Sequence, residues 1–198
     1  MAMSRQFRLW HWTSSALCLI GVLFFAVTGI TLNHAADIPA TPLTRTWTGT
    51  LPLAEAEGLR AASTAQSRTL PAPVADWLRE HTGLGFGTRL VEWSEREAYV
   101  ALPRPGGDAW VALGLEDGEV TFEHVSRGPI AFLNDLHKGR DTGPVWSWFL
   151  DLFAAACVVF SLTGLGLLWT AAAGRPSTWP LVGAGAVLPG MIVLFFLH

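Results

Sequence analysis

Three apolar stretches, each long enough to cross a bilayer, limit what this chain can fold into. They cover about residues 12–33, 145–169 and 180–197. A membrane-spanning helix needs about 20 apolar residues, and backbone polar groups inside lipid must be satisfied within the helix itself. The sequence therefore predicts a multi-pass helical membrane protein. The low content of charged residues, 15%, agrees with this class, because soluble domains average about 25%.

The first stretch follows Arg5 and Arg8 as the apolar part of a signal peptide would. It is longer than that part, which has about 7–15 residues, and no clear small-residue cleavage site follows it. We interpret it as a retained helix. Together with Arg175, these cations favour a cytoplasmic N-terminus, with residues 35–144 and the C-terminus on the outer side.

The segment between the first two stretches, residues 35–136, has a different composition, with 14 acidic and 8 basic residues. Its first part, to about residue 70, is rich in Pro, Thr and Ala and is expected to be extended or partly strand. The pattern after it predicts one short helix and four short strands: PAPVADWLREHTG, then TRLVEWS, EAYVALP, DAWVALGLE and GEVTFEHV. We therefore expect an integral membrane α-helical protein with a small α+β domain inserted between transmembrane helices 1 and 2.

The predicted organisation has four parts, each with one structural role. They are residues 1–34 (first transmembrane helix), 35–136 (α+β domain), 137–170 (a His-containing approach and the second helix) and 171–198 (a short loop and the third helix). The net charge of −3 gives no reason to expect nucleic-acid binding. Cys18 and Cys157 lie inside apolar stretches and are expected to be small core residues, not a disulfide framework.

Four of the six histidines lie at the ends of the predicted spans: His11, His34, His137 and His198. Ionisable residues at membrane depth are costly and usually functional, and a neutral imidazole is a common metal ligand. In the predicted topology His11 lies at the inner face and the other three lie at the outer face. His81 and His124, in the α+β domain, are expected to be ordinary surface or turn residues.

A b-type haem in a helical bundle is held by side chains from facing helices and needs no cysteine motif. The sequence has no CxxCH, which excludes c-type haem. A pair drawn from His34, His137 and His198 is expected to bind one haem b near the outer face. Lys138 and Arg140, which the predicted topology leaves outside against the charge rule, are close enough in sequence to meet the haem propionates.

A second haem at the inner face would have His11 as its histidine. Its other ligand would come from a second copy of the chain, which implies a homodimer, or from a residue other than histidine. No G-x-S-x-G, H-E-x-x-H, P-loop or G-x-G-x-x-G motif is present. An electron donor would therefore be a separate flavoprotein or a quinol.

A short echo links the first two apolar stretches, since FAVTGITL (25–32) matches FSLTGLGL (160–167). One interpretation is close helix packing through a small residue. The other is that Gly29 and Gly164 make room for a flat prosthetic group.

Two further hypotheses stay open. His34, His137 and His198 could form a copper or zinc site. Alternatively, the α+β domain could bind a peptide or protein, and the helices would then only anchor it in the membrane lipid.

Two segments, RLWHWTSSALCLIGVLFFAVTGITLNH and DLHKGRDTGPVWSWFLDLFAAACVVFSLTGLGLLW, resemble the PepSY-associated transmembrane proteins in their short three-helix form. The middle segment resembles a PepSY domain. Larger relatives include siderophore-linked ferric reductases of the bacterial inner membrane, which carry b-type haem on histidines. The resemblance implies that the histidines of the WH, LNH and LHxGRDxG motifs, here His11, His34 and His137, hold haem iron. It also implies an inner-membrane protein that passes electrons to a periplasmic acceptor such as a ferric chelate. This chain has fewer helices than the larger reductases, which argues against a two-haem wire across the membrane.

Overall fold

The computed structural model describes residues 2–197 of the chain. In chain order the elements are α1 (Ala2–Asn33), β1 (Leu43–Thr50), α2 (Leu53–Thr64), α3 (Ala72–Thr82), β2 (Glu92–Trp93), β3 (Glu97–Arg104), β4 (Gly107–Gly114), β5 (Glu119–Ser126), α4 (Pro129–Lys138), α5 (Gly143–Ala171) and α6 (Thr178–Phe196). A short 3₁₀ turn, Ala172–Gly174, follows α5. The chain divides into two compact units, one formed by the segments up to Phe24 and from Trp148, and the other by Phe25–Ser147.

Three helices are long and apolar enough to cross a membrane, over Arg5–Asn33, Gly143–Gly174 and Thr178–Phe196. The three predicted spans are therefore confirmed as membrane-length helices. Helix α1 begins well before the predicted span because no Gly or Pro occurs in its sequence before Gly21. The third helix continues through Pro189, although this proline and several glycines lie inside its sequence. Most of the side chains on these helices are exposed, as expected of surfaces that face lipid.

The segment between α1 and α5 contains a five-stranded antiparallel sheet with strand order β1-β5-β4-β3-β2. Strands β2 to β5 form a meander, and β1 pairs along β5, with Leu43 opposite Ser126. Side chains along β3 alternate between buried and exposed positions. The buried face of the sheet packs with α2 and α3 into one core, which includes Ala56, Leu59, Val74, Leu78, Phe86, Val100, Val111 and Val120.

The order of elements in this domain differs from the predicted helix followed by four strands. Strand β1 and helix α2 come before α3, and helix α4 comes after β5. The sequence of β1 is rich in threonine, which favours strands, whereas α2 is built largely from Ala, Leu and Glu, which favour helices. Only Glu92 and Trp93 of TRLVEWS pair as a strand. The N–H of Val91 donates instead to the carbonyl of Arg68 in a loop.

Helix α4 has strong end signals in its sequence. Gly128 precedes Pro129 at the start of the helix, where a missing N–H costs nothing, and Gly139 ends the helix with φ +66°. The predicted organisation divided this helix between two parts at residue 137. The structure makes Pro129–Lys138 one helix, so that His137 lies on its last turn.

A buried carboxylate fixes α4 to the sheet. Asp135 accepts a hydrogen bond from the backbone N–H of Gly106, in the turn between β3 and β4, at 2.8 Å. Arg127 and Arg140 bond the same carboxylate at 3.2 and 2.8 Å. The side chain of Asp135 is only 5% exposed, so these donors are what make its burial tolerable. The anchored helix holds His137, two residues further on, in a defined position.

Candidate functional site

The first candidate site, called the His137 site, consists of His137 on α4 and Phe25, Thr28 and Gly29 on α1. Oγ1 of Thr28 lies 2.7 Å from Nδ1 of His137. The ring of Phe25 meets the imidazole edge to face, with ring centroids 5.1 Å apart. A Cβ on Gly29 would lie 3.6 Å from Cε1 of the imidazole, in ordinary contact. The histidine thus packs closely against this turn of α1.

A second hydrogen bond aligns α4 with α1 at the His137 site. Oγ1 of Thr31 donates to Oδ1 of Asn134 at 2.8 Å. Thr31 follows Thr28 by one helical turn, and Asn134 precedes His137 by one turn, so the two helices run antiparallel where they meet. Thr28 and Asn134 are 2% and 7% exposed, so both pairs lie in a buried contact. The two hydrogen bonds together hold the imidazole ring of His137 in a fixed position and orientation.

The second candidate site, called the His11 site, consists of His11 on α1 and Phe160, Thr163 and Gly164 on α5. Nδ1 of His11 lies 3.1 Å from the carbonyl oxygen of Phe160 and 3.3 Å from Oγ1 of Thr163. The imidazole stacks on the Phe160 ring, with centroids 4.7 Å apart. A Cβ on Gly164 would lie 3.1 Å from Cε1 of His11, which is tighter than ordinary contact, so an alanine here would require the ring to move.

The two sites use the same sequence motif. Phe25 to Gly29 and Phe160 to Gly164 both read Phe-x-x-Thr-Gly, and each motif receives a histidine from a distant part of the chain. The echo between the two helices is therefore a repeated histidine contact. The small residue in each motif faces an imidazole ring, an arrangement that neither interpretation of the echo anticipated.

The hydrogen bonds define the tautomer of His11. A carbonyl oxygen only accepts hydrogen bonds, so Nδ1 of His11 carries the proton that it donates to Phe160. The hydroxyl of Thr163 donates to the carbonyls of Val159 and Phe160 at 2.7 and 3.1 Å, so it also accepts from His11. Within the described part of the chain, Nε2 of His11 makes no hydrogen bond. Its lone pair is free to bind a metal.

His137 is held through the same ring nitrogen. The one proton of the Thr28 hydroxyl can go to the carbonyl of Phe25, 3.3 Å away, or to Nδ1 of His137, 2.7 Å away, so the direction of this hydrogen bond follows the tautomer of the histidine. Among residues 2–197, Nε2 of His137 also has no hydrogen-bond partner. In metal sites, a ligating histidine typically donates its other ring N–H to a fixed acceptor. His11 has this arrangement, and His137 has it in the tautomer that carries the proton on Nδ1.

An apolar depression of about 360 Å³ adjoins the His11 site. It is lined by His11, Gly164, Leu167, Leu168 and Ala171. The imidazole is the one polar side chain in this lining. A flat apolar ligand would find hydrophobic surface here beside a nitrogen donor.

The structure distributes the other predicted site residues differently. His34 is exposed, and its Nδ1 lies 3.3 Å from Asp37. No hydrogen bond or ring contact joins it to His137 in the part of the chain that the structure describes. His198 lies outside the described residues. The pairing of histidines at the outer face therefore stays a prediction.

The predicted propionate-binding cations also differ from each other. Arg140 pairs with Asp135 and lies 3.8 Å from Asp141, whereas Lys138 forms no ion pair among the described residues. Residues 2–197 contain no group of three or more His, Cys, Asp and Glu side chains that could hold a metal ion. The copper or zinc hypothesis depends on His198 and stays a prediction.

Sequence reasoning missed Thr28, Thr163 and Asp135 as site residues. The Thr-Gly echo was the signal for the first two, because it places a threonine followed by a glycine at matching positions of two membrane helices. No local pattern marks Asp135. Its role depends on the approach of the β3–β4 turn.

The fold and the two histidine contacts define a membrane protein with three membrane-length helices and a small antiparallel sheet domain. The model of the PepSY_TM-like family matches residues 2–198, and the chain belongs to this family. A UPF0060 membrane protein of Methylobacillus flagellatus is 38% identical over 60 residues, covering 26% of this chain and 56% of that protein. The match thus spans about half the length of that curated relative. No solved structure matches the chain.

Proposed function

We propose that the chain is a haem b-binding electron-transfer protein of the bacterial inner membrane, either a ferric reductase or a subunit of one. One observation carries this proposal. His11 and His137 are each held through Nδ1 against a Phe-x-x-Thr-Gly motif, with Nε2 left unbonded in the described chain. His11 and His137 would hold the haem iron, and the group bonded to Nδ1 would set the orientation of each ring.

The residues at both sites suit a haem. Nitrogen from a neutral imidazole is a usual axial ligand for haem iron. The depression beside His11 offers leucine and alanine side chains to an apolar macrocycle. Next to His137, Lys138 has no ion-pair partner among the described residues and is placed in sequence to meet a propionate. His34 and His198 are the candidates within one chain for a second ligand at the His137 site, and a homodimer would supply one at the His11 site.

The protein's own groups would control the electron transfer. Haem b, when bound, supplies a one-electron iron couple. The carbonyl of Phe160 accepts the Nδ1 proton of His11, which would make this imidazole a stronger donor through Nε2 and would favour the ferric state. The chain has no flavin or nicotinamide motif, so a quinol or a flavoprotein would supply electrons. The acceptor would be a periplasmic ferric chelate, on the side of the sheet domain.

The test is an absorption spectrum of the full chain in detergent, oxidised and then reduced with dithionite, with a pyridine haemochrome count per chain. We expect a sharp reduced α-band of haem b. His11→Ala and His137→Ala should each remove or shift part of the spectrum. His81→Ala is the matched control, because His81 is exposed on the sheet domain, where its ring lies against Trp77 and Trp47 and its Nδ1 bonds the carbonyl of Trp77.

Two results would contradict the proposal. One is the absence of a haem band in the purified chain even after addition of excess haem. The other is a normal spectrum in the double variant His11→Ala and His137→Ala.

The second candidate function, a membrane-anchored binding module, is favoured by strand β1. It is an eight-residue edge strand that pairs only with β5. An extended peptide could add to its free edge through backbone hydrogen bonds. This function predicts peptide binding by a chain that contains no haem, and so the same absorption spectrum separates the two candidates.

A further inference from the structure

One end of the sheet carries a cluster of basic side chains, called here the basic end. Arg45 of β1 lies directly opposite His124 of β5, and both therefore point to the same face. Arg104 of β3 lies opposite Gly107 of β4, which in turn lies opposite Ser126 of β5. By the alternation of strand residues, Arg104 shares the face of His124. The residues between them are small, so the three side chains border one shallow area.

This face changes character along the strands. Over most of its length it is apolar and forms the core, as at Leu102 and Phe122. Two residues further along each strand, these positions become Arg104 and His124. Arg104 and the imidazole of His124 thus lie just beyond the part of the face that packs with α2 and α3. They belong to the domain surface rather than to its core.

The cations at the basic end have no acidic partner. Arg45 and Arg104 form no ion pair or hydrogen bond among the described residues. Burial, followed by the positive charges of Arg104 and Arg45, lowers the pKa of His124, which places all three groups within reach of each other's charge. The buried carboxylate of Asp135 is already held by Arg127, Arg140 and the N–H of Gly106.

The nearby acidic side chains lie on the other face of the sheet. Asp108 and Glu123 adjoin inward-facing residues of their strands and therefore point outward, next to Tyr99. The pKa of Tyr99 is raised, first by burial and then by the carboxylates of Glu92, Asp108 and Glu123. The negative charge is thus collected on the opposite face, and it does not neutralise the basic end.

The basic end is also the end where the chain leaves for the membrane helices. Strand β1 begins at Leu43, shortly after α1 ends, and β5 ends at Ser126, just before α4. The opposite end of the sheet holds four acidic residues, Glu97, Glu116, Asp117 and Glu119, against one arginine, Arg96. The domain therefore has its positive charge at the connections to membrane-spanning segments and its negative charge away from them.

We propose that Arg45, Arg104 and His124 bind the phosphate of an anionic phospholipid at the bilayer surface. Guanidinium groups bind phosphate oxygens with two parallel hydrogen bonds, and cations near an anionic bilayer are attracted to its surface. The proposal explains why the domain keeps unpaired cations at this end although its net charge is negative. It requires no haem and is independent of the redox function.

The test uses the full chain in a neutral detergent and measures Tm from tryptophan fluorescence. Dioctanoyl phosphatidylglycerol is titrated in, with dioctanoyl phosphatidylcholine and inorganic phosphate as parallel titrations. We expect phosphatidylglycerol to raise Tm in a saturable manner, and the other two to have little effect at the same concentrations. Arg45→Gln with Arg104→Gln should weaken the apparent affinity roughly tenfold or more.

The control variant, Arg89→Gln with Arg96→Gln, makes the same charge change elsewhere in the domain and should bind like the unchanged chain. Equal affinity in both double variants would overturn the proposal, and so would the absence of any Tm shift. A shift with inorganic phosphate alone would also overturn it, because the site would then bind a soluble anion. If the double variant does not fold, Arg45→Gln alone, at an exposed edge-strand position, should still weaken binding.

Discussion

Oγ1 of Thr28 and Nδ1 of His137 are 2.7 Å apart, and this contact joins a membrane helix to the short helix that precedes the second span. The same relationship, with Thr163 and His11, recurs between α1 and α5 at 3.3 Å. In both cases the threonine belongs to a Phe-x-x-Thr-Gly motif. A threonine hydroxyl bonded to Nδ1 holds the imidazole in place, and at His11 the carbonyl of Phe160 also sets the tautomer.

Replacing Thr28 by valine should destabilise the contact between α1 and α4. The change keeps the shape but leaves Nδ1 of His137 without the hydroxyl it is bonded to, at a cost of about 1–3 kcal/mol. Unfolding of the full chain in detergent, followed by tryptophan fluorescence, would measure the loss. Thr13→Val is the control, because Thr13 is exposed and bonds only the carbonyl of Leu9 in its own helix. Equal losses in the two variants would refute the importance of the contact.

The two motif glycines should differ in their tolerance of alanine. A Cβ on Gly164 would lie 3.1 Å from the His11 ring, whereas a Cβ on Gly29 would lie 3.6 Å from the His137 ring. Gly164→Ala should therefore displace its histidine, and Gly29→Ala should be accommodated. Thermal unfolding of both variants, with haem content if haem binds, gives the comparison. A larger effect of Gly29→Ala would contradict the described geometry.

Alanine at Gly106 should destabilise the sheet domain strongly. Gly106 has φ +71°, and a Cβ there would lie 2.7 Å from the backbone of Phe132. The left-handed conformation alone costs about 1–2 kcal/mol, and the collision with α4 adds a further cost. Gly83→Ala is a matched control, with φ +72° and nothing within 4 Å of its Cβ. We expect Gly106→Ala to lower the free energy of unfolding more than Gly83→Ala does. An equal decrease would show that α4 moves to make room for the added methyl group.

His124 should make stability depend on pH. Because burial and two arginines lower its pKa in the folded state, the unfolded chain takes up the proton first. The free energy of unfolding should therefore fall as the pH drops below the ordinary imidazole pKa of about 6.5, until the lowered pKa of the folded state is reached. Above about pH 6.5 the imidazole of His124 is neutral in both the folded and the unfolded state, so it adds nothing to the pH dependence of stability. Chemical unfolding across this pH range should show that the free energy of unfolding depends less steeply on pH in His124→Gln than in His81→Gln. Identical pH dependences in the two variants would exclude this role of His124.

The second and third predicted strands of the meander were recognisable from the sequence because their alternation is local. EAYVALP and DAWVALGLE became β3 and β4 within a residue or two at each end. Helix α2 was missed because its segment was judged by its prolines and threonines, although the run LAEAEGLR itself favours a helix. Helix α4 was missed because its residues were divided between the end of the α+β domain and the approach to the second span, and its glycine and proline end signals were not considered.

The sequence by itself determined that this chain enters a membrane, how many times and roughly where. Each span depends on about 20 neighbouring apolar residues, and the free energy of placing them in lipid is a sum over those residues alone. Only the tertiary structure decided which histidine meets which helix. His137 is 109 residues from Thr28, and His11 is 152 residues from Thr163. Such contacts depend on which faces pack together, and packing is a property of the whole fold rather than of any local pattern.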